Sequence, residues 1–171
     1  LNSIANLTDS LYAIKKIIYE DKITTFDELL DALDNNFVGY EDLHRRILEI
    51  EGFYGNSNPE VDEFVHSISK TLFEEIVKYK NYRDGPFAPI LLSMTTHTID
   101  GRISIATPDG RFAASPYAAS CSPYNVEKNG VTAVFRSIAS LDFENTLGCA
   151  ANVKFHPTAL GTNVQTRKKW V

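Results

Sequence analysis

The stretch Ala106–Arg111, with the sequence ATPDGR, opens a polar loop that continues to Ser120–Tyr124, with the sequence SCSPY. The loop covers roughly twenty residues with little apolar periodicity, and a loop of that length inside a compact domain is usually functional or disordered. Pro108, Pro116 and Pro123 stiffen it, and it carries too few charges for a disordered segment. We therefore expect an ordered loop that packs against the rest of the chain.

Four amphipathic helices are predicted before this loop, over about residues 8–80, because apolar residues recur there at helical spacing. The four apolar stripes are Leu7, Leu11, Ile14 and Ile18; Phe26, Leu29, Leu30 and Leu33; Tyr40, Leu43, Ile47 and Ile50; and Val61, Phe64, Val65, Ile68, Leu72 and Ile76. Thr25 and Glu28 form a capping-box pattern at the start of the second helix. Asn58 and Pro59 are a start signal for the fourth.

The second half of the chain, about residues 87–171, has a mixed character. Pro89–Ile99 and Cys149–Phe155 are predicted as strands, and Thr132–Leu141 as a helix with Thr132 as its cap. Leu160–Val171 is polar and basic and could open another helix. Two or three strands rarely make a sheet on their own. We therefore expect an α/β fold whose remaining strands lie outside this chain.

Composition places the chain among soluble globular proteins, with 171 residues, 43% hydrophobic and 23% charged. The net charge of -5 argues against a nucleic-acid surface. The absence of a long apolar run or a signal-like start predicts a cytoplasmic protein without a membrane span. The chain starts at Leu1 without an initiator Met, and it stops at Val171 in what looks like the middle of a secondary-structure element. We therefore expect a piece of a longer polypeptide.

The common catalytic motifs are missing, including the phosphate loop and the nucleophile elbow. Asp109 belongs to an ordinary turn, and Arg111 either clamps an anion or anchors the loop through paired hydrogen bonds. Cys121 could be a nucleophile with His97 or His156 as its base, although lone cysteines are more often buried and inert. Cys149 lies in an apolar run and is expected to pack; neither cysteine has metal-ligand spacing, so free thiols are predicted.

Two further candidates, His97 and Tyr124, have two interpretations each. His97 either lines a pocket or bonds a backbone carbonyl, and Tyr124 either offers its hydroxyl to a substrate or packs the loop. His156 is expected to fix a turn. His44 and His66 lie off the apolar stripes and are expected to be solvated.

These motifs carry a family resemblance. Thr107–Arg111 (TPDGR), Ser122-Pro123, Asn129–Val134 (NGVTAV) and Lys154–Pro157 (KFHP) together resemble the closing part of the large domain of glycyl radical enzymes. This is the pyruvate formate-lyase superfamily, which includes glycerol and hydroxyproline dehydratases, choline lyase, arylacetate decarboxylases and benzylsuccinate-type synthases. Helical segments such as Ser10–Lys16 (SLYAIKK) fit as well, so the resemblance covers nearly the whole chain.

The resemblance implies that residues 1–171 are the C-terminal portion of a ten-stranded α/β barrel of pyruvate formate-lyase type. It implies a radical-SAM activating enzyme as partner, which installs a radical on a glycine, and a cysteine thiyl that takes a hydrogen atom from a small-molecule substrate. It further implies a homodimer of the full-length enzyme and no bound metal or organic cofactor. Within this segment it points to Tyr124, Ser122 and His97 as pocket-lining residues, with Asp109 and Arg111 as loop anchors.

The chain also departs from the family pattern. None of its nine glycines lies in the family's Arg-Val-x-Gly-aromatic radical loop, and neither cysteine lies in the Gly-Cys-x-Glu setting of the catalytic cysteine. Cys121 stands where a small or aliphatic residue is usual, and Val131 replaces a common proline. We therefore expect no catalytic residue in this segment, no activity of the segment alone, and a glycyl radical formed outside it.

A non-catalytic binding or assembly domain that reuses this scaffold is the alternative. The flanking gene sequence separates the two hypotheses. An upstream cysteine loop and a downstream Arg-Val-x-Gly loop support the enzyme, whereas stop codons at both ends support the binding domain. The reaction subtype stays open among dehydration, carbon–nitrogen or carbon–carbon cleavage, decarboxylation and radical addition.

Overall fold

A computed structural model of the chain describes residues 1–153, and most of its regular structure is helical. The helices are α1 (Ile4–Ile14), which runs into a π-helical turn (Lys15–Glu20), then α2 (Phe26–Asp34), α3 (Glu41–Leu48), α4 (Pro59–Val77), α5 (Thr96–Arg102) and α6 (Gly130–Ala139). The four helices predicted before the loop are confirmed. None of the helices within residues 1–153 is long and apolar enough to cross a membrane.

The predicted N-terminal capping residues of α2 and α4 do bind backbone amides at the starts of these helices. The Thr25 hydroxyl accepts from the amide of Glu28 at 3.2 Å, and the Asn58 side chain accepts from the amide of Glu60 at 3.1 Å. The capping box at α2 is only half formed, because the Glu28 carboxylate accepts from the hydroxyl of Thr24 instead, at 2.8 Å. The predicted cap of the later helix is wrong: α6 already begins at Gly130, two residues before Thr132.

The buried face of α1 is not the predicted one. Leu7 and Leu11 are 42% and 39% exposed. The buried residues of α1 are Ile4, Ala5, Asn6, Thr8, Asp9, Tyr12 and Ala13. This face packs against α4, where Val61 and Val65 are fully buried. The apolar stripe misled the prediction because three residues on the buried face are polar, and two of them, Asn6 and Asp9, find partners outside α1.

The strand predictions are not confirmed, since no strand of regular length forms within residues 1–153. The end of Pro89–Ile99 is helical, with α5 starting at Thr96. The extended part makes one parallel bridge, between Leu91 and Cys149. The Leu91 amide donates to the carbonyl of Gly148 at 3.1 Å, and the Leu91 carbonyl accepts from the amide of Ala150 at 3.0 Å. The last two residues of Cys149–Phe155, all of Leu160–Val171 and His156 lie outside the described residues.

The core lies between the helices and the long loop. Phe73 of α4 and Tyr54 of the turn before it are fully buried, and from the loop Ala118 and Cys121 join the same cluster. The loop is therefore an integral part of the core rather than a covering over it, as its stiffness and low charge predict.

Replacing Phe73 by Ala is expected to lower the free energy of unfolding by about 3–5 kcal/mol, because the ring is fully buried and leaves a cavity. Phe135→Ala is the matched control. Its ring is 50% exposed, so the loss should be near 1 kcal/mol. Urea unfolding of both variants measures the difference, and similar losses at the two positions would contradict this description of the core.

Candidate functional site

One amide side chain ties the loop to α1. The Asn6 Nδ2 donates to Asp109 Oδ2 at 2.5 Å, and Asn6 Oδ1 accepts from the backbone amide of Ala118 at 2.6 Å. Asn6 and Asp109 are only 3% and 6% exposed. Because a single buried group holds both halves of the loop, the loop has a fixed position relative to α1.

Arg111 uses its guanidinium within the loop itself. Its nitrogens donate to the hydroxyl of Thr107 and to the backbone carbonyls of Ile105, Phe112 and Ser115. The guanidinium also lies 4.0 Å from the ring centre of Tyr117, a cation–π contact. The side chain is 3% exposed. With these donors occupied, the geometry is that of a loop anchor and leaves little capacity for clamping an anion.

His44 supports the same turn, and the prediction that it is solvated is wrong. It is half-buried, its Nε2 lies 2.8 Å from the carbonyl oxygen of Gly110, and its ring centre lies 4.5 Å from those of Phe37 and Phe112. Gly110 has φ of +88°, and a Cβ there would lie 2.8 Å from a side-chain atom of Leu48. The turn therefore requires glycine both for its backbone and for space.

His66 is also wrongly predicted as solvated. It is half-buried on α4, and its Nδ1 lies 3.0 Å from the carbonyl oxygen of Ser140. His97 differs, because its ring Nδ1 is buried without a hydrogen-bond partner. The carbonyl-bonded interpretation of His97 therefore has no support from that nitrogen, and its backbone carbonyl instead accepts from the amide of Tyr117 at 3.1 Å.

His97, Ser122 and Tyr124 line one cleft of about 440 Å³, which we call the loop cleft. It lies between the start of α5 and the second half of the loop. Glu127 also lines it, and its Oε2 is buried there without a hydrogen-bond partner, like the Nδ1 of His97. Convergent polar groups with unused hydrogen-bonding capacity in a concave site are typical of ligand-binding positions.

Two hydroxyl groups in the loop cleft have different environments. The Ser122 hydroxyl oxygen accepts from the amide of Asn152 at 2.7 Å, which leaves its proton for another acceptor. Tyr124 is half-buried, and burial raises the pKa of its hydroxyl above the usual value, although the nearby charge of Arg111 opposes this. The Tyr124 hydroxyl therefore stays protonated at neutral pH and can donate a hydrogen bond.

Cys121 has the environment of a packing residue. It is fully buried, and its thiol donates to the carbonyl of Ala150 at 3.3 Å. Burial raises the pKa of the Cys121 thiol far above its usual value, and a hydrogen bond with Cys149 raises it further. Because the thiolate is the reactive form, this environment does not favour the nucleophile interpretation with His97 as base. Both thiols are free, as predicted.

Several residues that fix the site gave no signal in the sequence. Ser93 and Ser120 bind reciprocally: the Ser93 amide donates to the Ser120 hydroxyl at 3.1 Å, and the Ser120 amide donates to the Ser93 hydroxyl at 3.0 Å. The Asn36 side chain accepts from the amide of Ala113 at 2.7 Å. Only the polar interruptions of apolar segments, such as Asn6 in α1, could have indicated buried partners. Within residues 1–153, no group of three or more metal-binding side chains could hold an ion.

Asp9 is a buried carboxyl group beside this network, 1% exposed. Its Oδ1 accepts from the amide of Tyr54 at 2.8 Å, and its Oδ2 has no hydrogen-bond partner. Burial raises the pKa of Asp9 well above the usual value, more than the bond from Tyr54 lowers it, and the negative charge of Asp109 adds to the increase. The folded protein therefore holds a proton on Asp9 at pH values where the unfolded chain has lost it.

Asp9→Asn is expected to stabilise the protein relative to the wild type as the pH rises. Below about pH 3.9, the unfolded-state pKa, wild type and variant carry the same charge at this position. Above it, the wild type loses roughly 1.4 kcal/mol per pH unit until the raised folded-state pKa is reached, and the variant does not. Urea unfolding of both proteins between pH 4 and 7 measures this gap. Asp31→Asn, at an exposed position, should show no such widening; a constant gap for Asp9→Asn would mean that Asp9 ionises freely in the fold.

The family model described as "Pyruvate formate lyase-like" matches residues 2–101. The chain is 34% identical over 158 residues to trans-4-hydroxy-L-proline dehydratase of Clostridioides difficile, covering 92% of this chain and 20% of that protein. It is 34% identical over 173 residues to isethionate sulfite-lyase of Bilophila wadsworthia, covering 96% and 20%.

The fold matches as well. The substrate-bound hydroxyproline dehydratase of Clostridioides difficile superposes with a TM-score of 0.88 at 32% identity, over 98% of this chain and 21% of that one. The chain thus spans about a fifth of the length of the relatives that it matches. On this likeness in sequence and in fold, the chain belongs to the pyruvate formate lyase-like family of glycyl radical enzymes.

Proposed function

We propose that the chain is the late part of the barrel domain of a glycyl radical enzyme that breaks or makes a C–C, C–O or C–N bond after hydrogen-atom abstraction. The observation that carries the proposal is the superposition on a substrate-bound dehydratase over 98% of this chain. The relatives named above are a dehydratase and a sulfite-lyase, which favours elimination chemistry on a small polar substrate.

Within the complete enzyme, residues 1–171 form the C-terminal portion of a ten-stranded α/β barrel. The parallel bridge between Leu91 and Cys149 supports this arrangement, because neighbouring barrel strands pair in parallel. A pair of short extended segments does not make a stable sheet alone, so the other strands come from the remainder of the polypeptide.

The radical itself forms outside this segment. A radical-SAM activating enzyme installs the radical on a glycine. The radical then passes to a cysteine elsewhere in the barrel, and the thiyl of that cysteine takes a hydrogen atom from the substrate. Cys121 is buried and its thiol has a raised pKa, which supports the assignment of hydrogen-atom abstraction to another cysteine. The complete enzyme is a cytoplasmic homodimer without a bound organic cofactor, and the segment alone is inactive.

The loop cleft is the part of this chain that borders the substrate. Its support is the group of His97, Ser122 and Tyr124 around one concavity with unused polar capacity. The Tyr124 hydroxyl donates to an oxygen of the substrate, and the Nδ1 of His97 offers a second polar contact. The hydrogen bonds from Asn6 to Asp109 and Ala118 hold the loop in place, so these groups are preorganised.

Electron paramagnetic resonance tests the proposed enzyme class. After anaerobic incubation with the activating enzyme, S-adenosylmethionine and a reductant, the complete polypeptide is expected to give the doublet of a glycyl radical. The 171-residue chain treated in the same way should give none, because no radical glycine lies in it. A doublet from the short chain would contradict the location of the radical. A silent complete polypeptide would favour the non-catalytic binding domain instead.

Tyr124→Phe in the complete enzyme tests the loop cleft. Removing a hydroxyl that donates to the substrate should lower turnover about tenfold, while the free energy of unfolding changes by less than about 1 kcal/mol. Turnover is measured on whichever of trans-4-hydroxy-L-proline, glycerol or isethionate the enzyme converts. Tyr82→Phe is the matched control, since that side chain is 89% exposed and should leave kinetics unchanged. Equal kinetics for both variants would remove Tyr124 from the pocket.

A further inference from the structure

The connection between α3 and α4 contacts the part of the long loop that lines the loop cleft. It contributes Tyr54, Gly55 and Asn56, which we call the support turn. Residues 122–127 of the loop, which we call the cleft segment, line the loop cleft with five side chains. The five are Ser122, Pro123, Tyr124, Asn125 and Glu127. No residue of the support turn is among the described residues that line the cleft, so the support turn can act on the cleft only through the cleft segment.

Tyr54 holds the chain immediately before the cleft segment. Its side chain is fully buried, and its hydroxyl donates to the backbone carbonyl of Cys121 at 3.0 Å. Burial raises the pKa of this hydroxyl well above the usual value, so the group keeps its proton and remains a donor at neutral pH. Because a buried carbonyl without a donor is unfavourable, this bond fixes Cys121 and, with it, the neighbouring Ser122.

Asn56 holds the other end of the cleft segment with its amide side chain. Its Nδ2 donates to the backbone carbonyl of Val126 at 2.9 Å, and its Oδ1 accepts from the backbone amide of Lys128 at 2.7 Å. Asn56 is only 7% exposed, and hydrogen bonds shielded from water hold their groups more firmly. The two bonded backbone groups lie on either side of Glu127, so one side chain determines the path of the backbone there.

Gly55 lets the support turn approach the middle of the cleft segment. Its φ is +100°, and a Cβ at this position would lie 2.7 Å from the Cβ of Pro123, closer than side chains allow. Asn125 in the cleft segment has a left-handed backbone, with φ of +59°. Such a conformation persists where the surrounding contacts hold it. The cleft segment is therefore bonded at both ends and packed against the support turn between them.

The support turn is itself tied to two helices. The backbone amide of Tyr54 donates to Oδ1 of Asp9 in α1 at 2.8 Å. The backbone amide of Ser57, the next residue after the support turn, donates to the hydroxyl of Ser137 in α6 at 3.0 Å. These contacts join described residues of the chain to one another, so they do not depend on which faces the rest of the polypeptide covers.

We propose that Tyr54 and Asn56 are positioning residues, which place the hydroxyl of Tyr124 within reach of the substrate by holding the two ends of the cleft segment. The proposal rests on the function proposed above for the loop cleft. A displaced donor stabilises the transition state less than a correctly placed one, whereas substrate binding tolerates the displacement better. Loss of either hold should therefore lower kcat more than it raises KM.

A double-mutant cycle in the complete enzyme tests the role of Tyr54, with the substrate that the enzyme converts. Tyr54→Phe removes only the hydroxyl and keeps the buried ring, and it should lower kcat about fivefold while KM changes less than about twofold. When Tyr124→Phe is already present, the same change should lower kcat less than about twofold, because no hydroxyl remains to be placed. Unchanged kcat in the single variant overturns the proposal, and so does an equal loss in both backgrounds.

Ser69→Ala is the matched control for the kinetics. Its fully buried hydroxyl donates to the backbone carbonyl of His66 at 2.9 Å, and it is not among the described residues of the loop cleft. The variant thus loses the same kind of bond as Tyr54→Phe and should leave kcat and KM unchanged. A loss of kcat as large as that of Tyr54→Phe would attribute the effect to general destabilisation and would overturn the proposal.

Hydrogen exchange followed by mass spectrometry distinguishes a failure of this proposal from a failure of the proposed function. Asn56→Ala removes the acceptor for the amide of Lys128, and exchange of that amide should become at least about tenfold faster, whereas Ser69→Ala should leave it unchanged. Unchanged exchange in Asn56→Ala overturns the hold on the cleft segment, whatever the enzyme does.

Faster exchange in a complete polypeptide without turnover or a glycyl radical signal overturns the proposed function instead, and the positioning role falls with it. If Asn56→Ala does not fold, as circular dichroism would show, the double-mutant cycle with Tyr54→Phe decides alone, since phenylalanine keeps the shape of the buried ring.

Discussion

The hydrogen bond between Asn6 and Asp109 connects residues 103 positions apart, and the position of the long loop depends on it. Both carboxylate oxygens of Asp109 accept hydrogen bonds: Oδ2 from Asn6, and Oδ1 from the hydroxyl of Thr107 and the amide of Arg111. The left-handed turn at Gly110 then returns the chain so that Arg111 can reach the loop carbonyls. Four residues of the Thr-Pro-Asp-Gly-Arg string, all except the proline, thus have a structural task, which explains why the string is distinctive.

This arrangement separates the anchored half of the loop from the half that lines the loop cleft. The first half, around Asp109 and Arg111, spends its hydrogen-bonding capacity on itself and on α1. The second half, around Ser122 and Tyr124, keeps capacity free and faces the loop cleft. A loop that carries binding groups needs such a division, because a mobile support would not hold the groups in one geometry. Tyr124 reflects the link between the halves: burial raises the pKa of its hydroxyl, and the charges of Arg111 and Asp109 in the first half act on that pKa in opposite directions.

Sequence reasoning succeeded where the partners are close in the chain and failed where they are remote. The caps at Thr25 and Asn58 use amides two or three residues away, so the local pattern determines them. The buried face of α1 could not be found in this way, because the partner of Asn6 lies in the loop and its polarity resembles that of a surface residue. The environment of His44 could not be found for the same reason, because the carbonyl of Gly110 and the ring of Phe112, which contact it, lie far along the chain, and only Phe37 is near in sequence.

The distribution of exposed apolar residues bears on the barrel proposal. Around the parallel bridge, Leu91 and Ser93 are buried against the rest of the chain, whereas Ile90 and Leu92, which alternate with them, are 40% and 45% exposed. An edge segment facing water would alternate apolar with polar residues, but this one is apolar on its open side as well. Strands that are covered on both faces have that continuous apolar character. The pattern therefore supports a position inside a larger parallel sheet, whose further layer covers the open side.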